Sequence, residues 1–465
     1  MITLQLYQEL AAHSLQRGNR LGNRQTVLDF AKISGKQIDA DFEGGTLTSD
    51  GGVLFLREVE ARVGVIRRLA EALPDRRDPR YVDHTLEDLL RQRVFQIACG
   101  YEDANDCDEL RGDVGIKMAC DRLPLSGPDL ASQPTMSRLE NDPSRTDLYR
   151  MARALVDVFI ASYSTPPQMV LLDIDDTDDP THGDQQMTLF NGYYDEHCYL
   201  PLHIYEGQSG KLITTLLRPG RRPTGREIVA ILNRVVAYLR KAWPKVAIFL
   251  RGDSHFSTPE VHRFCEQERV SFVLGQGGNE VLKAKAAGLL EQAQALFVDK
   301  QEKIRLFTEF LYQAQSWDKP LRILAKVEVS SKGSNLRFVV TNLHSSQPSF
   351  LYDTIYCARG RMEGFIKNHK TFLHSDRTSC HTFEANQFRL FLHSAAYILL
   401  HTLAHQGLQD PSWATAQFNT LQLRILKVGA RIRELATRIK IHFPSSFPLK
   451  PLFQRILWNL AAAYP

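Results

Sequence analysis

Five carboxylates crowd into seven residues at Asp173, Asp175, Asp176, Asp178 and Asp179, directly behind the apolar run 169–172. An apolar run that stops abruptly in acids is the pattern of a buried strand delivering carboxylates to a sheet edge. Acids placed there resist ionisation unless a cation compensates them, so the chemistry the cluster suits is divalent-metal binding. Another acid, Asp253, follows a second apolar run in RGDSHF. A third lies in YCARGRMEGFIKNHK, where helical rotation of about 100° per residue puts Tyr356, Arg359, Glu363 and Lys370 within a stripe of roughly 60°, with Lys367 beside it. Gly360 and Gly364 weaken any reading of this stripe as an ordinary solvated face, because each costs about 1 kcal/mol relative to Ala inside a helix. Small residues there would let a nucleic-acid backbone or another chain come close.

The elements that must position these acids follow from periodicity. Residues 170–175 read as a strand, 199–205 and 211–217 as a hairpin around GQSG, and Thr224 with Glu227 as the capped start of a helix reaching about Lys241. Residues 246–251 form the next strand, Thr258 and Pro259 open a helix, and 270–274 form a fifth strand. Three strands, a helix, a strand, a helix and a strand, with acids ending the first and fourth strands, is the order of an RNase H-like core. Residues 275–350 interrupt it with a Gly-rich turn, an Ala-rich helix and at least two strands, and are expected to form an inserted β-rich subdomain. The helix of the third acid follows, over about 353–370.

Upstream, apolar spacing predicts helices over 52–73 and from Thr85 onward, where Asp88 completes a capping box. A basic arm, LQRGNRLGNRQ, precedes them. Within 126–141 a short helix offers Gln133, Ser137 and Arg138 to a major groove. The expected fold class is therefore α/β, divided as a mainly helical DNA-binding region (1–165), the first part of the RNase H-like core (166–275), the insertion (276–350), the second part of the core with the Glu363 helix (351–405), and a basic helical C-terminal region (406–465).

With Lys and Arg at 57 against Asp and Glu at 53, the net charge of +4 does not by itself indicate a nucleic-acid partner. The tail does so locally: from Leu421 onward Arg431, Arg433, Arg438 and other bases face a single acid, Glu434. The seven cysteines form no CxxC pair, which argues against a zinc site or a disulfide framework and for a reducing compartment. No apolar run approaches the roughly 18 residues of a membrane span. A soluble cytoplasmic protein is expected.

The spacing Tyr356, Arg359, Glu363, Lys370 matches the Y(2)R(3)E(6)K signature of the DDE transposases of bacterial insertion sequences, which the chain resembles. The blocks LDIDDTDDPTHG, FNGYYDEHCYLPLHIY, RGDSHF, RMEGFIK and SDRTSCHTFEANQFRLFL look like insertion-sequence family thirteen-eighty, with one departure: His255 stands where that family has Gly. The resemblance implies a catalytic and metal-binding triad of Asp175, Asp253 and Glu363, two Mg²⁺ ions for which Mn²⁺ may substitute, and cleavage of transposon ends followed by strand transfer. Asp175 is preferred as the first acid because it stands two residues before Thr177; Asp173 shares its strand face and is the rival. Arg359, Lys370 and Lys367 would hold phosphates, Tyr356 the end nucleotide, and Trp317 a flipped base, unless that indole is simply core. Partners would be double-stranded DNA, namely terminal inverted repeats and target, with a homodimer in a nucleoid-associated active complex. A non-catalytic DNA-binding descendant and a metal-dependent nuclease are the competing readings.

Overall fold

The computed structural model describes residues 28–463. The basic arm lies outside the described residues; residues just beyond it form an antiparallel hairpin, β1 (Leu28–Ile33) and β2 (Lys36–Ala40), followed by a short strand β3 (Leu47–Thr48).

The acid run ends β4 (Met169–Asp176) and continues through β5 (Asp179–Pro180), β6 (Leu189–Asn191) and β7 (Glu196–Tyr199), which form a small sheet in the order β5-β7-β6. β4 belongs to an eight-stranded mixed sheet with β8 (Leu202–Glu206), β9 (Leu212–Leu216), β10 (Ala247–Gly252), β11 (Ser271–Gln276), β12 (Ile304–Tyr312), β13 (Leu321–Ser330) and β14 (Gly333–Thr341). The order is β12-β13-β14-β11-β10-β4-β8-β9, with β10 parallel to both β4 and β11 and every other pairing antiparallel.

Side-chain alternation along these strands sets the two faces. Val170, Leu172, Ile174, Ile248, Leu250, Phe272 and Leu274 bury one face against Ile228, Leu232 and Leu239 of the helix Gly225–Ala242 and against Val261 and Phe264 of the helix Pro259–Gln267. Both helices start where their caps require: Thr224 and Glu227 form a reciprocal capping box, and Thr258 caps with Pro259 in the first turn. The opposite face carries Asp173, Asp175 and Arg251, and on it Phe249 and Val273 pack against Leu351, Tyr352 and Tyr356.

Three expectations are corrected. The strands expected in a separate insertion extend the central sheet instead: β14 pairs with β11 from Val273↔Thr341 to Gln276↔Phe338, covering an edge that would otherwise expose a row of unpaired backbone groups. The segment 350–372 is not one regular helix. It runs through π-type turns (Phe350–Tyr356), a 3-10 turn (Cys357–Gly360), an α-helical stretch (Arg361–Lys367) and further π-type turns (Asn368–Phe372). The basic tail is a β-hairpin, β15 (Ala430–Leu435) and β16 (Arg438–His442), which also pairs with β3, before a terminal helix Lys450–Ala463. The reason is visible in ARIREL and RIKIH, where apolar and basic residues alternate with period two; Ala430 and Ile432 are buried while Arg431, Arg433 and Arg438 are exposed.

A second core surrounds the helix Phe383–Thr402, whose residues are buried from Ala385 to Thr402. Helices Val53–Val63, Leu86–Ala98 and Arg145–Ala161 pack on it, as do Phe453, Ile456 and Leu460 of the terminal helix. Residues from both ends of the described chain therefore share one core. No helix among the described residues is long and apolar enough to cross a membrane.

Candidate active site

Asp173 and Asp175 share a face of β4, but their surroundings differ. Asp173 is fully buried and bound by both guanidinium arms of Arg251, Nε to Oδ1 and Nη2 to Oδ2, each at 2.6 Å. Arg251 also donates to the Ile355 carbonyl at 2.6 Å, which pins the 350–372 segment to the sheet. The Asp173 carboxylate is thus consumed by a buried structural pair.

Asp175 stands one step further along, where β4 ends. Parallel pairing places Arg251 opposite Asp173, so Asp253, two residues on, comes beside Asp175 at the neighbouring strand end. Burial pushes the Asp175 carboxyl up to about 7; the nearby charges of Asp253 and Asp176 push in the same direction, and Arg359 opposes them. Arg359 Nη2 lies 2.6 Å from Asp175 Oδ2 and supplies the positive charge this group of acids demands. Asp176 has one buried oxygen, Oδ2, without a hydrogen-bond partner, while its Oδ1 lies 3.6 Å from His255 Nδ1. That contact holds the His255 imidazole above its ordinary pKa. The His255 backbone N–H donates to Asp253 Oδ1 at 2.8 Å, closing the turn after β10.

From the 350–372 segment, Lys370 Nζ pairs with Asp178 Oδ1 at 3.0 Å, and Tyr356 is half-buried in the field of Arg359 and Asp253. Gly275 makes room for that phenol, since a Cβ there would sit 2.7 Å from Tyr356 Oη. Glu363 is exposed, in the α-helical stretch Arg361–Lys367 that follows the 3-10 turn. Lys367 is exposed with its ammonium over the Phe372 ring, 5.5 Å from the centroid. Gly360 and Gly364 face open space. Among the described residues no group of three or more His, Cys, Asp or Glu stands close enough together to hold a metal ion. The donors near Asp175 suit a hard cation in type and charge, but the predicted triad is not assembled in this conformation.

Other predicted residues lie elsewhere. Trp317 is 8% exposed and packs against His262 and Tyr312, with ring centroids at 4.9 and 5.4 Å, so it is a core residue and not a platform for a flipped base. Arg138 is exposed on the helix Gln133–Asn141. Arg431, Arg433 and Arg438 are exposed on β15 and β16, in a sheet distinct from that of the acids. Glu434 of this hairpin accepts hydrogen bonds from the backbone N–H groups of Leu125 and Ser126, tying it to the loop before the Arg138 helix. Asp179 is 1% exposed with neither oxygen partnered, and burial pushes its carboxyl well above the ordinary carboxylate range, with Lys370 opposing. Sequence reasoning missed Arg251, whose signal was a lone charge inside an apolar strand, and Arg222, which donates to the Ser254 and His255 carbonyls at 3.0 and 3.2 Å and braces the Asp253 turn.

The fold and site define an α/β protein with a cation-seeking group of carboxylates at the carboxyl ends of adjacent parallel strands. The family profile described as "Transposase DDE domain group 1" matches residues 30–465, and the chain belongs to that family, whose chemistry is DNA cleavage and strand transfer. No curated protein matches the chain. Among solved structures, the piggyBac transposase synaptic complex with hairpin DNA, determined by cryo-EM, is similar at 12% identity and a TM-score of 0.39 over 90% of this chain and 86% of that one.

Proposed function

We propose that this chain is the transposase of a bacterial insertion sequence, of the thirteen-eighty type, which cuts transposon ends and joins them to target DNA at an RNase H-like core. The observation that carries the reading is Asp175 beside Asp253 at the ends of parallel strands, where burial and, after it, mutual repulsion call for a cation. The strand order β9-β8-β4-β10-β11 supports the RNase H-like description.

In this reading Asp175 and Asp253 would hold Mg²⁺, or Mn²⁺ in its place, with Glu363 as the third carboxylate on a segment of irregular turns, a kind that recurs at functional sites. Two bound ions would supply charge to the attacking and leaving oxygens of a phosphoryl displacement. Arg359, freed from Asp175, and Lys370 hold the phosphates flanking the scissile bond, with Lys367 on the exposed side and Tyr356 against the end nucleotide. Arg138 and the exposed bases Arg431, Arg433 and Arg438 hold duplex further away, and two copies bring two ends together.

The test is to incubate the purified chain with labelled transposon ends, a target plasmid and Mg²⁺. Cleaved ends joined to target are expected. Cleavage without joining would favour a nuclease, and binding without cleavage would favour a non-catalytic DNA-binding descendant.

A further inference from the structure

The block FNGYYDEH has no role in the site as described, yet the fold sets it against the acids. β5, the continuation of the acid run, pairs with β7 through Asp179↔Tyr199 and Pro180↔Cys198, and β7 pairs with β6 through Leu189↔Cys198, Phe190↔His197 and Asn191↔Glu196. The β6–β7 hairpin is therefore rooted on β5, the short strand that begins three residues beyond the end of β4, where Asp175 stands. Its tip is firmly built: the Asp195 N–H donates to the Asn191 carbonyl at 2.8 Å, the Tyr193 N–H donates to Asn191 Oδ1 at 2.9 Å, and Asn191 Nδ2 anchors to the Gly220 carbonyl at 2.9 Å.

This tip holds out aromatic rings that the fold does not use. Tyr193 is 86% exposed and Phe190 56%. Tyr193 meets Tyr194 edge-on at 4.9 Å, and Phe190 meets His197 at 5.5 Å. Tyr194, by contrast, is half-buried. Two ring pairs thus stand on this hairpin, each with a ring open to solvent. A flat ring face stacks on any base, and it can do so only where that base has left the duplex stack.

Resting on the DNA-processing reading above, we propose that the β6–β7 hairpin is a stacking platform for an unpaired DNA base next to the phosphodiester seated at Asp175 and Asp253, with Tyr193 and Phe190 supplying the ring faces.

Fluorescence anisotropy of the full chain in EDTA, where no cleavage confuses the signal, tests this with two probes: a blunt duplex, and the same duplex with a short single-stranded 3′ overhang carrying 2-aminopurine. The variant Tyr193→Ala/Phe190→Ala is expected to bind the overhang probe about 5- to 100-fold more weakly and to lose 2-aminopurine quenching, while its blunt-duplex affinity is unchanged. Tyr193→Trp keeps overhang binding, whereas Tyr193→Leu loses it, which separates stacking from simple apolar contact. Overhang affinity that is equal in all variants, or a Tyr193→Leu chain that binds like the parent, would overturn the proposal. A change in sedimentation with DNA binding intact would also overturn it and would assign the rings to contact with a second copy. If the parent chain binds neither probe, the transposase reading itself fails, a result distinct from failure of the platform alone.

Discussion

Replacing Asp173 and replacing Asp175 should have opposite consequences for stability, although the two acids stand two residues apart on one strand face. Asp173 and Arg251 form a bidentate pair with side-chain exposures of 0% and 3%. Asp173→Leu leaves the guanidinium buried without its counter-charge, at a cost of about 3–5 kcal/mol, and Arg251→Met strands the carboxylate at a similar cost. The double variant should recover much of the loss, because an apolar pair of similar volume replaces a buried ion pair at little net cost. Asp175 behaves otherwise. Its carboxyl is held at about 7 against an ordinary 3.8, so between those values the folded state keeps a proton that the unfolded chain has lost. Stability contributed by this group is present below about 4, falls as pH rises to 7 and is flat above, a span of about 4 kcal/mol at most with the opposing Arg359 contact already included. Asp175→Asn should therefore leave the urea midpoint at pH 8 unchanged or higher and remove this part of the pH slope, whereas Asp173→Leu should lower the midpoint by on the order of 1 M. Tryptophan fluorescence during urea titration at several pH values makes the comparison. A normal midpoint for Asp173→Leu together with a large drop for Asp175→Asn would refute this assignment of structural and reactive acids.

Burial holds His203 and His401 down to about 3 and His262 to about 4, so the unfolded chain takes up protons near 6.5 that the folded chain refuses, and stability should fall as pH drops below 6.5. His203, whose ring nitrogens have no partner, is the sharpest probe: His203→Phe should flatten the fall in Tm between pH 7 and pH 5, and an unaltered slope would contradict its buried neutral state. Trp317→Leu should cost about 3 kcal/mol of stability in a urea titration and leave DNA affinity unchanged; weakened DNA binding with normal stability would restore a contact role. Changing Arg431, Arg433 and Arg438 together to Ala should reduce the slope of log affinity against log salt by about 2.7, and an unchanged slope would remove the hairpin from the DNA surface.

Much of the arrangement around the acids was legible because its signals are local. The apolar run into Asp175 and the caps at Thr85, Thr224 and Thr258 are short-range patterns, and the elements they predict are present. What was not legible depends on pairing across long stretches of chain. Nothing in β14 announces that it docks on β11, and the Asp173–Arg251 pair becomes apparent only when two strands 78 residues apart take their register. The wheel that aligned Glu363 with Arg359 assumed a uniform rotation, which the π-type and 3-10 turns break. The β15–β16 hairpin was legible in principle, from alternation of Ile with Arg and Lys, but charge density drew the reading toward a helix. Trp317 shows the limit of residue type alone: an indole suits a base or a core equally well, and burial decides.

The most direct test of the central claim measures strand cleavage and joining by Asp175→Cys and Asp253→Cys chains, each in Mg²⁺ and in the more thiophilic Mn²⁺. The account predicts that both variants bind end DNA like the parent, show no cleavage in Mg²⁺, and regain part of it in Mn²⁺. Cleavage at the parent rate in Mg²⁺ by either variant would contradict it.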